Sequence, residues 1–291
     1  MFLGDFVEAF LLLLLVPFLF GDLFSNSDED DPAPDILGSE GDDTLDGTTE
    51  PEEIYGGAGD DGIAAWSGDD TVEAGEGDDF VLAEDGDDLV FGGAGDDLVD
   101  GGSGNDTIWL GEGDDETADD GVSPGPEFDT GPEGDDFISG GAGNDVLLDW
   151  IGSDTLVGEL GQDFLFALDD YGSDTPDSLS GGWGEDTVWG DDGDTLSGGG
   201  FTDDIVVTLD ETDDASVTIT DFDAKSETLF LDVDRDAFES ATGNDLSMTS
   251  DPATGDVALF LAGQKVAHLL APTGDFTLGN VSLPEWMRLA A

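Results

Sequence analysis

The stretch GGAGDDLVD (Gly92–Asp100) runs straight into GGSGNDTIW (Gly101–Trp109), and this pair of nonapeptides decides the fold. The period of nine extends outward from it in both directions. Gly38 to Ala118 divides without gaps into nine units, Gly131 to Phe166 into four, and Gly172 to Val206 into four more, one of which (GDDGDTLS, Gly190–Ser197) is a residue short. In these seventeen units the sixth position is Asp everywhere except Glu52, and the eighth is aliphatic everywhere except Thr117. Such phase-keeping over a long stretch is the mark of a stacked repeat architecture. The fourth position is Gly in fourteen units, which suits a turn whose backbone angles a Cβ would hinder. Positions one to six therefore predict a turn. Positions seven to nine predict a short strand, with the eighth side chain inward and the seventh and ninth outward. Two units then make one coil of eighteen residues, whose strands stack at about 4.8 Å. The expected fold class is all-β: a parallel β-roll, or β-solenoid, followed by an antiparallel β cap.

Charge limits what such a roll can bind. The 291 residues hold 74 Asp plus Glu against 4 Lys plus Arg, a formal net charge of -70. Repulsion among so many carboxylates opposes compaction unless cations bind. Nucleic acid is excluded as a partner, because phosphate binding needs clustered cations and the only ones are Lys225, Arg235, Lys265 and Arg288. At 37% hydrophobic residues in strict register the chain is no solvated acidic tail. With no Cys, thiolate metal sites and disulfides are unavailable, and the composition allows Ca²⁺ or Mg²⁺ held through oxygen.

The units resemble the repeats-in-toxin (RTX) nonapeptide G-G-x-G-x-D-x-U-x of haemolysin-type calcium-binding proteins, and GGAGDDLVD meets every specified position. The resemblance implies multiple Ca²⁺ ions, each bound by a sixth-position carboxylate and turn carbonyls between one turn and the turn a full coil later. Carried over, the metal residues are Asp43, Asp61, Asp70, Asp79, Asp88, Asp97, Asp106 and Asp115 in the first block. Asp136, Asp145, Asp154 and Asp163 follow in the second block, and Asp177, Asp186, Asp194 and Asp203 in the third. Asp61 would share an ion with Asp79, Asp70 with Asp88, Asp79 with Asp97 and Asp88 with Asp106. Counted inside each block, the pairs make room for eleven ions. The fifth-position carboxylates Asp60, Asp69, Asp78, Asp87 and Asp96 are expected to face solvent beside the ions and add field. The resemblance also implies a secreted, extracellular or cell-surface protein, exported by type I secretion machinery that reads an uncleaved C-terminal signal.

Beyond the repeats the boundaries follow composition. Residues 1–27 form an apolar N-terminal segment, whose run from Phe10 to Phe20 is broken by Pro17 and preceded by Asp5 and Glu8. It reads either as a cap on the open end of the roll or as a membrane or export element. Residues 28–37 form an acidic linker, and residues 38–206 the roll, interrupted at 119–130 and 167–171. The first interruption is expected to loop out. Residues 207–291 are expected to form the antiparallel cap, with a possible secretion signal. Within them, Thr220-Asp221-Phe222 followed by Leu229-Phe230-Leu231-Asp232 resembles the segment that closes such rolls, with Lys225 and Glu227 where Gly and Asp are commoner.

Ninth positions on one face are Tyr55, Glu73, Phe91 and Trp109, with Leu89 beside Phe91. Leu89, Phe91 and Trp109 are expected to form an exposed apolar patch open to self-association or a surface partner. No catalytic set emerges: His268 is the single histidine, no G-x-S-x-G elbow occurs, and no carboxylate pair stands out. The expected function is calcium-ion binding by a structural protein, not an enzyme. The alternative is a Ca²⁺-dependent adhesin or matrix module for carbohydrate or a protein partner.

Overall fold

The structure, a computed structural model, describes residues 36–117, 134–149, 152–168, 175–209, 216–233 and 243–284. The chain divides into Met1–Pro34 and Asp35–Ala291. The apolar N-terminal segment and the loop at 119–130 lie outside the described residues.

Among the described residues two sheets, of thirteen and eleven strands, carry nearly all of the regular structure. Strands alternate between the sheets along the chain, so each pairs in parallel with the strand one coil away: Val72 with Val90 and Val90 with Ile108 in the first sheet, Ile63 with Val81 and Val81 with Val99 in the second. The eighth-position side chains meet between the sheets. Ile54, Ile63, Val72, Val81, Val90, Val99, Leu147, Leu156, Leu165, Leu179, Val188, Leu196 and Ile205 are all buried, forming the core of the expected β-roll. Thr117, the one polar residue in this row, is buried as well; its hydroxyl donates to the Leu148 carbonyl and accepts from the Leu148 N–H, so no polar atom is stranded.

The two sheets differ in strand length, which the repeat alone did not reveal. In the second sheet the strand occupies about positions seven to nine, as in Phe80–Leu82. In the first it continues through positions one to three of the following unit, as in Thr71–Glu76 and Leu89–Ala94. The continuation passes through a left-handed residue at position two, which glycine adopts most readily, although Glu159 takes the same place at φ +76° in Thr155–Leu160. Gly75 and Gly93 have φ of +128° and +122°, and a Cβ on Gly93 would come 2.1 Å from the Gly75 carbonyl oxygen.

The ends of the roll also differ from the expected boundaries. Ile36–Leu37, assigned to the acidic linker, pairs with Ile54 and Tyr55 as the first strand of the thirteen-stranded sheet. Ala167, placed in the second interruption, ends the strand Phe164–Ala167 and is buried. Val217–Ile219 and Thr228–Val233 extend the parallel stacks beyond Val206. Among the described residues antiparallel pairing is confined to Leu246–Ser250, Val257–Leu261 and Gln264–Leu269, which join the end of the first sheet through Val217–Ile219. Continued apolar alternation in 217–233 lets the solenoid add coils without glycine-rich turns.

Candidate metal centre

Each turn delivers its sixth-position carboxylate to the coil before it. The Asp61 N–H donates to Asp79 Oδ1 at 2.8 Å, Asp79 N–H to Asp97 at 2.9 Å and Asp70 N–H to Asp88 at 2.7 Å. This bond recurs along both edges of the roll, from Asp43 N–H to Asp61 at 2.7 Å through to Asp186 N–H to Asp203 at 3.0 Å. The second carboxylate oxygen is in a different condition. Oδ2 of Asp61, Asp70, Asp79, Asp88, Asp97, Asp106, Asp115, Asp145, Asp163, Asp186 and Asp203 is buried and meets no hydrogen-bond donor. A row of buried acceptor oxygens without donors is costly unless a cation faces it. First-position glycines leave the space: a Cβ on Gly56, Gly92 or Gly101 would stand 2.6 Å from Oδ2 of Asp61, Asp97 or Asp106.

Electrostatics points the same way. Burial, reinforced by neighbouring carboxylates, pushes the Asp97, Asp136 and Asp145 carboxyls up to about 7, against the pull of a backbone N–H. Asp106 rises to about 8 and Asp88 to about 6 from the same leading cause. A divalent ion removes the penalty that a proton would otherwise relieve, and an all-oxygen donor set suits a hard cation.

A profile of the RTX calcium-binding nonapeptide repeat matches residues 37–72, 46–81, 67–99, 82–116, 130–165 and 171–196. The repeats are RTX calcium-binding repeats. Ca²⁺ is accordingly the ion of the array. Among curated proteins none matches the chain. Among solved structures, a hyperactive, Ca²⁺-dependent, β-helical antifreeze protein from an Antarctic bacterium aligns at TM-score 0.50 and 19% identity, over 68% of this chain and 61% of that one. The chain thus spans about three-fifths of that neighbour, and the likeness is one of fold. The extracellular lipase LipA from Serratia marcescens aligns at TM-score 0.24 and 18% identity, over 90% of this chain and 42% of that one.

The structure brings together RTX turns that the sequence separates into blocks. Asp106 N–H donates to Asp136 at 2.7 Å and Asp115 N–H to Asp145 at 3.0 Å, across thirty residues. Asp154 and Asp163 reach Asp177 and Asp186 in the same way at 2.8 and 2.9 Å, across the second interruption. Pairing within blocks alone therefore undercounts the inter-coil junctions by four. Three turns also bind their own donors: Ser39 N–H and hydroxyl donate to Asp43 Oδ2, Thr48 N–H to Glu52, and Asp191 N–H to Asp194 Oδ2, while Asp194 Oδ1 still accepts from Asp177 N–H one coil away. At one turn the first-position glycine is replaced by Asp149, whose carboxylate gathers with those of Asp136 and Asp154 within 4.8 Å.

The fifth-position residues have a structural role that sequence reasoning missed. Asp60 Oδ1 accepts from Asp78 N–H at 3.2 Å, and Asp78 Oδ1 from Asp96 N–H at 3.0 Å, one coil onward. Fifth-position carboxylates thus reach forward while sixth-position carboxylates reach back. Asn105 and Asn144 stand in this ladder as acceptors too, so the interchange of Asp and Asn at position five was the available signal.

On the outer face Phe91 and Trp109 stack with centroids 5.0 Å apart and planes 9° from parallel, and Trp109 meets Phe137 at 5.9 Å. Leu89, Phe91 and Trp109 are half-buried, and the described C-terminal strands join the far end of this sheet, so they do not cover the patch. The other sheet carries a second outer row that the sequence reading overlooked: Phe166, Trp189, Val206 and Phe230 lie in register, with the Phe166 and Trp189 rings 5.2 Å apart.

Proposed function

We propose that the chain is a secreted or cell-surface structural protein whose roll folds on Ca²⁺, without enzymatic activity. The observation that carries the reading is the row of buried Oδ2 atoms lacking donors. In it, Asp61, Asp70, Asp79, Asp88, Asp97, Asp106, Asp115, Asp145, Asp163, Asp186 and Asp203 face the ions, each ion lying between a carboxylate and the turn one coil away. Asp136, Asp154 and Asp177 continue the same columns, and Asp43 and Asp194 serve at turns already closed by their own amides. Ions bound only by the folded state pull the folding equilibrium toward it. Type I export suits such a chain, which stays unfolded where Ca²⁺ is scarce and folds outside. Among the described residues no helix is long and apolar enough to cross a membrane.

Circular dichroism of the purified chain tests this. It should show little β structure in chelator and a cooperative gain on adding Ca²⁺, with a midpoint of about 10⁻⁴ to 10⁻³ M and a weaker response to Mg²⁺. The same β spectrum with and without chelator would refute it. The outer rings Phe91, Trp109 and Phe137 support a second reading, an adhesin or matrix module. Loss of glycan or cell-surface binding in Trp109→Ser, with the Ca²⁺ transition unchanged, would favour it.

A further inference from the structure

The aromatic row on the outer face of the second sheet contains a gap. Trp189 pairs in register with Val206, and Val206 with Phe230, so two rings stand on either side of one small side chain. Trp189, Val206, Phe230, Asp204 and Asp232 line one open cavity of about 490 Å³, a volume that suits a small molecule. Leu283 and Pro284, which follow Ser282, the register partner of Phe230, line it too. Trp189 is held in place: its Nε1–H donates to Thr208 Oγ1 at 2.7 Å, and its ring meets Phe166 edge-on at 5.2 Å. A wall fixed in advance loses little freedom when a ligand arrives. On the other face Phe91 and Trp109 occupy adjacent strands and stack at 5.0 Å, which leaves no room between the rings.

Spacing and charge together select the ligand. Neighbouring strands lie about 4.8 Å apart, so the Trp189 and Phe230 rows are about 10 Å apart, and a group seated over Val206 is about 5 Å from each. A cation there is within the roughly 6 Å at which the face of an aromatic ring attracts it. Asp204 and Asp232 lie on the same outer face, two residues along the strand from Val206 and Phe230. Both are exposed, and among the described residues neither carboxylate is in an ion pair. No Lys, Arg or His lines the cavity. With a net charge of -70 the chain repels anions, so this face favours a ligand of net positive charge. A hydrated metal ion gains little from aromatic walls, whereas methyl groups on a nitrogen lose their contact with water against them.

We propose that this groove binds a small quaternary ammonium compound of net positive charge, with its methyl groups between Trp189 and Phe230 and its charge facing Asp204 and Asp232. The site goes beyond the calcium array, whose ions belong to the turns. In the test, the full chain in saturating Ca²⁺ is titrated by calorimetry at constant ionic strength with choline and with its uncharged analogue, which has carbon in place of nitrogen. Choline should bind at a single site, and the uncharged analogue at least about fivefold more weakly. Trp189→Leu should weaken choline binding by about fivefold or more, whereas Trp183→Leu, at an exposed ring that meets Phe201 instead, should leave it unchanged. Should Trp189→Leu lose its Ca²⁺-induced β structure, Asp204→Asn must weaken choline while leaving the uncharged analogue as it was. Absence of saturable choline binding, whether the groove is unfit or is filled by residues 285–291 of the chain, would overturn the proposal. Equal affinity for the uncharged analogue, or wild-type choline binding in folded Trp189→Leu, would overturn it as well.

Discussion

Asp61 and Asp79 are joined by a 2.8 Å bond from the Asp61 N–H to Asp79 Oδ1, one coil away, while Oδ2 of both stays buried without a donor. The backbone thus fixes one oxygen of each carboxylate and orients the other. A carboxylate held in this way loses little further freedom on meeting a cation, which is the advantage of preorganisation. The same division recurs along both edges of the roll, so substitution effects should depend on where in the stack a residue sits.

Asp106→Ala should raise the Ca²⁺ midpoint about as much as Asp79→Ala, and both more than Asp43→Ala. Asp106 has no partner eighteen residues onward within its block of repeats, but in space it is interior, since its N–H bonds Asp136 and its carboxylate accepts from Asp88. Asp43 closes on Ser39 at the first coil. Calcium titrations of the three variants by circular dichroism decide the matter; an Asp106→Ala chain that behaves like Asp43→Ala would break the stacking across residues 118–133.

Acid should partly replace Ca²⁺. In the folded chain Asp97, Asp136 and Asp145 stand at about 7 and Asp106 at about 8, chiefly through burial, whereas the ordinary value for an aspartate is 3.8. Folded values above the unfolded one mean that the metal-free roll has its full proton-linked support below about pH 4 and loses it as pH rises through roughly 6 to 8. Metal-free chain should therefore show more β structure by circular dichroism at pH 5 than at pH 8. In the presence of Ca²⁺, competition from protons should raise the calcium midpoint between pH 8 and pH 6. Loss of β structure on acidifying the metal-free chain would contradict the burial of these carboxyls.

Glu84→Gly should stabilise the calcium-loaded roll by about 1 kcal/mol. Glu84 holds φ +75° at a second position where Gly102, one coil later, has φ +90°. Relief of left-handed strain outweighs the added freedom of glycine in the unfolded chain. Urea unfolding in saturating Ca²⁺, with Glu84→Gln as the control for charge, measures it; equal stability of the two variants would assign any gain to charge alone.

The Phe91–Trp109 stack should contribute a coupling of about 0.5–1.5 kcal/mol. A double-mutant cycle of Phe91→Ala and Trp109→Ala in saturating Ca²⁺ isolates it. Additive losses would mean that the rings are neighbours without mutual support.

The sequence by itself determined the period, the inward row at position eight, the carboxylate row at position six and the adjacency of Phe91 and Trp109. These features are local: the strand alternates its side chains every residue and the turn repeats every nine, so one unit predicts the next. The tertiary structure alone decided that Asp106 meets Asp136, that first-sheet strands run on through Gly75 and Gly93, and that the two oxygens of aspartates such as Asp61 and Asp79 differ. Which coil rests on which is settled by burying Ile108 beside Ile138 and Leu165 beside Val188, contacts made across interruptions of any length that leaves the coils in register. A local repeat cannot encode that choice, because closing a longer loop costs little compared with the apolar surface that stacking removes from water.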